Sequence, residues 1–250
     1  MIQYIQEYNK MFWDFVINYD TNNSNILRKI IHSYLVADRC FMIACNFKLS
    51  ERERNFSYLL GLFHDLGRFP QWEKYQTYND KKSVDHGDLS SEIVEKMDNK
   101  KLYITEEEKY ILVQAIKYHT KPYLGSDEKV IFYNEMIKNA DAFSNVLTTA
   151  NGAQQMTVEQ EGVTESILND FVELKPLWIY SPNTKLDRAL MLTACSYYVK
   201  YGFLRKEIIE NNYIDVMYST FSKYLNETDK SIYLNAIEKM KKTYIKSFED

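Results

Sequence analysis

The chain carries only seven glycines and four prolines in 250 residues. Glycine supplies the unusual backbone angles of tight turns, and proline interrupts helices. A β-sandwich or barrel needs many turns, so this scarcity nearly excludes one and favours long helices. Apolar residues recur at intervals of three and four along the chain, which is the period of a helix with one buried face. The predicted fold class is all-α.

Local signals set the expected bounds. A first helix runs from about Gln3 to Asp20, with Tyr4, Ile5, Tyr8, Met11, Phe12 and Phe15 on one stripe. Thr21 to Ser24 interrupts it, and Ser24 is positioned to cap a second helix reaching about Phe47, whose stripe reads Leu27, Ile31, Tyr34, Leu35 and Phe41. Ser50 and Glu53 form a capping box for a third helix, Glu51 to about His64, which Gly67 and Pro70 are expected to stop. Gln71 to Asp85 reads as a loop with a short helical piece. Helices follow from about Gly87 to Met97, from Glu106 to His119 behind the Thr105–Glu108 capping box, and from an Asp127 cap to about Thr149. About five more are expected beyond Val163, broken near Pro176, Pro182, Gly202 and Asn226. Without repeats or linkers the chain reads as one domain over 1–250, with a core of about 24–150 and a helical extension of about 151–250.

Composition narrows the class. With 45% hydrophobic and 26% charged residues, disorder is not the expected state. The net charge is −4 and no basic block occurs, so a broad nucleic-acid surface is not supported. The apolar stretch Cys40–Phe47 is far short of the ~20 residues of a membrane span, and the first residues lack the pattern of a signal peptide. The three cysteines, Cys40, Cys45 and Cys195, match no zinc spacing and read as reduced core thiols. A cytoplasmic protein that does not engage membranes is expected.

The chemistry is concentrated in four histidines, His32, His64, His86 and His119, the full complement of the chain. With two acids they form the pattern His32-x31-His64-Asp65-x20-His86-x32-His119-x21-Asp141. Adjacent residues on a helix point about 100° apart, so His64 and Asp65 can serve one centre only where a helix is ending. Gly67 and Pro122 place His64 and His119 at helix ends, and His86 opens a helix with Asp85 as its cap. His32 and Asp141 fall mid-helix beside apolar stripes, where a polar group needs a partner that a metal would supply. Imidazole and carboxylate donors suit Mn, Fe, Co, Ni or Zn. Six such donors exceed the needs of one tetrahedral ion, and two divalent metals bridged by a carboxylate would use them all. Glu106-Glu107-Glu108 reads as complementing a helix dipole.

The string Gly61-Leu62-Phe63-His64-Asp65-Leu66-Gly67-Arg68-Phe69 resembles the central motif of the HD-domain superfamily of metal-dependent phosphohydrolases. His32, followed by Val36 and Ala37, resembles that family's first histidine, and Asn139-Ala140-Asp141-Ala142 its final aspartate. The resemblance covers roughly Ser24 to Ala150 and implies a helical bundle around a metal site. His86 and His119 resemble the extra pair of the two-metal branch, which includes cyclic-nucleotide phosphodiesterases. It implies that His32, His64, Asp65 and Asp141 hold one metal, that Asp65 bridges, and that His86 and His119 complete the second. Arg68 stands where many members place lysine and would pair with a substrate phosphate, with Lys121 a further candidate contact.

The implied activity is hydrolysis of a phosphate ester by a metal-bridging hydroxide, on a small phosphorylated substrate such as a nucleotide or cyclic nucleotide. Two alternatives share the fold: a mixed-valent di-iron oxygenase using nearly the same six ligands, and a non-catalytic nucleotide-binding module.

Overall fold

The computed structural model describes residues 2–152 and 156–246. Helices and one 3-10 turn account for all regular structure among them, with no strand, as the turn-poor sequence predicts. The chain divides into two compact units, Met1–Asp141 and Ala142–Asp250. No helix among the described residues is long and apolar enough to cross a membrane.

The first unit contains α1 (Ile2–Val16), α2 (Ser24–Asn46), α3 (Glu51–Phe63), α4 (Arg68–Tyr75), a 3-10 turn at Asp80–Lys82, α5 (His86–Glu95), α6 (Asn99–Leu102), α7 (Glu106–Lys117) and α8 (Glu128–Ala150), whose last turns carry the boundary. Helix α3 is the centre. Every residue from Asn55 to Phe63 is buried, and a helix apolar on all sides has to be enclosed by others. Helices α1, α2 and α7 lie against it, and α5 packs on α7. Phe69 at the start of α4 is sealed by Phe12 and Phe15 of α1 and by Tyr19.

Close approach of α2 and α3 depends on Gly61. A Cβ there would stand 2.7 Å from both the Ala37 Cα and the Val36 carbonyl oxygen. This packing reverses the expected stripe on α2. The buried face is Ile26, Ile30, Ser33, Ala37, Cys40 and Ala44, whereas Leu27 and Ile31 are exposed and Tyr34, Leu35 and Phe41 half-buried. Choosing the largest apolar residues picked the wrong side, because a tight helix crossing selects small ones.

Both predicted capping boxes form, at Ser50–Glu53 and Thr105–Glu108, and Asp127 accepts from Lys129 and Val130 N–H. The cap of α2 is Asn23 rather than Ser24; its side chain accepts from Asn25 N–H, and Ser24 is already helical. Helix α1 ends at Val16, earlier than Asp20. Pro70 does not stop a helix. It lies in the first turn of α4, where no intrahelical acceptor exists for the N–H it lacks. The short α6, capped by Asp98, falls where no helix was expected.

The second unit contains α9 (Glu165–Val172), α10 (Lys185–Thr193), α11 (Cys195–Tyr198), α12 (Gly202–Glu210), α13 (Tyr213–Ser222) and α14 (Glu227–Lys246). Among the described residues that is six helices against about five expected, the additional one a single turn. Buried Asp187 joins the starts of α9 and α10, accepting from Thr164 N–H and Oγ1 and from the N–H groups of Asn183 and Thr184. Tyr233 Oη lies 2.5 Å from Thr193 Oγ1, tying α14 to α10. Of the cysteines only Cys40 is in the core; Cys45 is exposed and Cys195 half-buried.

Gly61→Ala should destabilise the protein by about 1–3 kcal/mol, because the new methyl meets backbone that cannot yield, an effect larger than the helix propensity alanine adds. Gly202→Ala, where nothing lies within 4 Å, should stay within about 0.5 kcal/mol of the parent. Urea unfolding of the two variants measures the difference; equal midpoints would remove Gly61 from the packing argument.

Candidate metal centre

Helix ends deliver the His-Asp pair, as the geometry of adjacent residues requires. Helix α3 stops at Phe63 and His64 is its C-cap. The chain then turns, with Arg68 N–H donating to the Asp65 carbonyl at 2.9 Å. Gly67 allows that turn to rest on α5: a Cβ there would lie 2.7 Å from the His86 carbonyl oxygen and the Ser90 nitrogen, and Gly67 N–H donates to Ser90 Oγ at 2.8 Å. His119 follows the C-cap of α7, and His86 is the first residue of α5, with Asp85 capping through Asp88 N–H.

His32 and Asp141, mid-helix in α2 and α8, meet with Nε2 2.9 Å from Oδ1. The donor atoms of His32, His64 and Asp141 lie within 4.8 Å of one another, and so do those of His64, Asp65 and His119. Asp65, 2% exposed, sits between two groups of rings. Its Oδ2 is 3.5 Å from His64 Nε2 and 3.8 Å from His32 Nε2. Its Oδ1 is 3.4 Å from His86 Nε2 and 3.9 Å from His119 Nε2. The structure thus brings all six predicted residues to one place in the first unit.

Hydrogen bonds and burial set the protonation of the rings. His64 Nδ1 donates to the Gly61 carbonyl at 2.7 Å and His119 Nδ1 to the Ile116 carbonyl at 2.6 Å; a carbonyl only accepts, so the proton is on Nδ1. His86 Nδ1 faces Asp80 Oδ2 at 2.6 Å. Burial opposes ionisation of Asp80, but the His86 hydrogen bond and charge, Arg68 and Gln71 outweigh it and hold its carboxyl at about 2. Burial above all, with the Arg68 charge second at His86, lowers His64, His86 and His119 to about 4. At neutral pH each is an uncharged ring with a bare Nε2.

Those bare nitrogens test whether a cation fits. His86 Nε2 and His119 Nε2 stand 3.1 Å apart, two lone pairs facing each other. His64 Nε2 and Asp65 Oδ1 are buried without a hydrogen-bond partner. Two donors about 2.1 Å from a shared ion stand about 3.0–3.4 Å apart, which suits the His86–His119 pair. The donor set could therefore hold a positive ion. Burial favours the neutral form of Asp65, yet Lys29, His64, Arg68 and His86 outweigh it and keep the carboxyl well below the usual range. Asp141 is lowered likewise, the His32 hydrogen bond and charge exceeding its burial.

Three residues at the centre have no counterpart in the motif reading. Lys29, one turn before His32, donates to Asp65 Oδ2 at 2.7 Å and is itself buried. Burial lowers its ammonium and the Asp65 charge only partly restores it. Asp80 holds the His86 ring. Fully buried Gln71 donates through Nε2 to Asp80 Oδ1, Ser83 Oγ and the Val84 carbonyl. The signal available for Lys29 was its position three before His32 on one helix face; nothing local marked Asp80 or Gln71. Arg68 lies inside the same network, donating through Nη1 to Gln71 Oε1, the Tyr78 carbonyl and Asp80 Oδ1, with Nε 3.6 Å from Asp65 Oδ1. Lys121 pairs with Asp88 at 2.7 Å and Asp85 at 3.5 Å.

Residues 30–146, a span that includes all six donors, match the family model of the HD domain. No curated protein and no solved structure matches the chain.

An ion joining side chains from α2, α3, α7 and α8 should stabilise the folded state by mass action, by about 2.7 kcal/mol at a hundred times its Kd. EDTA should lower the melting temperature and added Mn should restore it, while His64→Ala should lose the response. A melting curve indifferent to chelator, in protein shown to have lost its metal, would count against a site joining these helices.

Proposed function

We propose that the chain is a binuclear metal-dependent phosphohydrolase acting on a phosphate ester of the nucleotide or cyclic-nucleotide class, a reading that the match of residues 30–146 to the HD domain supports. The observation that carries this reading is the division of Asp65. One oxygen faces His32 and His64 and the other faces His86 and His119. A carboxylate so placed suits a bridge between two ions.

His32, His64, Asp65 and Asp141 would hold the first ion; Asp65, His86 and His119 the second. Mn, Fe, Co, Ni and Zn all suit these donors. When bound, the pair supplies an activated water at neutral pH and positive charge opposite the phosphoryl oxygens. The chain's own residues set the field around that chemistry. Tethered Nδ1–H groups keep three Nε2 lone pairs aimed inward. Lys29 and Arg68 are the cations nearest Asp65 and the candidates to pair with a substrate phosphate. Lys121 stays a candidate contact at the rim formed by Asp85 and Asp88.

A screen of the metal-loaded protein over nucleotides, cyclic nucleotides and sugar phosphates should reveal phosphate release. Asp65→Ala should lower turnover on the best substrate by on the order of a hundredfold or more, as loss of a group that organises transition-state charge does. Near-parental turnover at matched metal loading would sink the bridged mechanism. Dioxygen uptake by the iron-loaded chain, with no phosphate release from any substrate, would replace hydrolysis by the oxygenase alternative.

A further inference from the structure

The three inward-facing rings are not tethered in the same way. His64 and His119 follow the last turn of a helix, so each finds an acceptor three residues back, the carbonyl of Gly61 or Ile116. These carbonyls lie in the last turn of a helix, where the regular intrahelical donor is missing. His86 is the first residue of α5 and has no helical turn behind it. Its Nδ1–H needs an acceptor from elsewhere, and Asp80 Oδ2 provides it at 2.6 Å. Asp80 lies in a 3-10 turn of three residues and is itself held: its Oδ1 accepts from Arg68 Nη1 at 3.0 Å and Gln71 Nε2 at 2.8 Å. Gln71 is oriented in turn, because the Val84 carbonyl can only accept from its Nε2.

We propose that Arg68 is a positioning residue for the second ion, acting on His86 through Asp80. This rests on the binuclear reading and adds to the phosphate contact given to Arg68. The second ion has three protein donors against four for the first, so the orientation of the His86 ring weighs more there. Without Asp80 the ring is free to turn its Nε2 away from His119. Without Arg68, Asp80 loses the charge that fixes one of its two oxygens. Removing such an outer partner typically lowers metal affinity 10–100-fold.

The test is Mn titration of the chelator-stripped full chain, followed by calorimetry and by elemental analysis. It is paired with nitrogen NMR of the imidazoles in the metal-free protein, where only four histidines need assignment. Arg68→Met and Asp80→Asn should each weaken the second ion 10–100-fold and leave the first in place. The double variant should be little worse than Asp80→Asn alone, because the two act in series. Arg68→Lys should recover part of the loss. In the metal-free variants the His86 signals should move from a single Nδ1–H form to a mixture, while His64 and His119 keep theirs. Second-ion affinity and His86 signals unchanged in Arg68→Met, with only KM raised, would overturn the proposal and leave Arg68 a phosphate contact alone. A parent chain that binds one ion would reject the binuclear reading instead, and the His86 spectrum of Arg68→Met would then decide the tether by itself.

Discussion

A carboxylate taken out of water costs several kcal/mol unless its charge is answered nearby. Asp65 is such a group, and the first unit is arranged around it. Lys29 from α2 answers one oxygen at 2.7 Å, and Arg68 approaches the other at 3.6 Å. Four imidazole nitrogens stand within 3.9 Å of the carboxylate. None of this is possible unless α2 and α3 touch at Gly61, since a wider crossing would carry Lys29 and His32 away from His64 and Asp65. The absence of one side chain, on the helix that is buried all round, therefore underlies the electrostatics of the centre.

Much of the architecture was legible because its signals are local. Scarce turn formers implied helices, and capping boxes at Ser50 and Thr105 marked two starts to the residue. The six donors were legible for a related reason: histidine is rare here, and helix ends resolve the problem of two adjacent ligands. What escaped depends on partners distant in sequence or on shape. Leu27 and Ile31 look like core and face solvent, because the α2–α3 contact rewards Ala37 and Ala44. Asp80 and Gln71 both fell in the expected loop, yet Gln71 lies in α4, and the two acquire meaning only once the chain folds back between α4 and α5. Pro70 was read as a stop because its effect inside a helix is large, yet in a first turn that effect vanishes.

The Lys29–Asp65 pair has a consequence for the order of assembly. In small metal-dependent modules that cannot bury enough apolar surface, an empty site leaves mutual repulsion at the centre, and the chain waits for its ion before it collapses. Here an ammonium already stands against the buried Asp65 carboxylate, and His32 against Asp141. Around them lies an apolar interior whose largest members include Phe12, Phe63 and Phe69. Such a chain has its central charges answered, and an apolar core to bury, before any ion arrives. An ion entering this centre would therefore exchange one positive charge for another beside a carboxylate that is already paired, rather than relieve a bare charge.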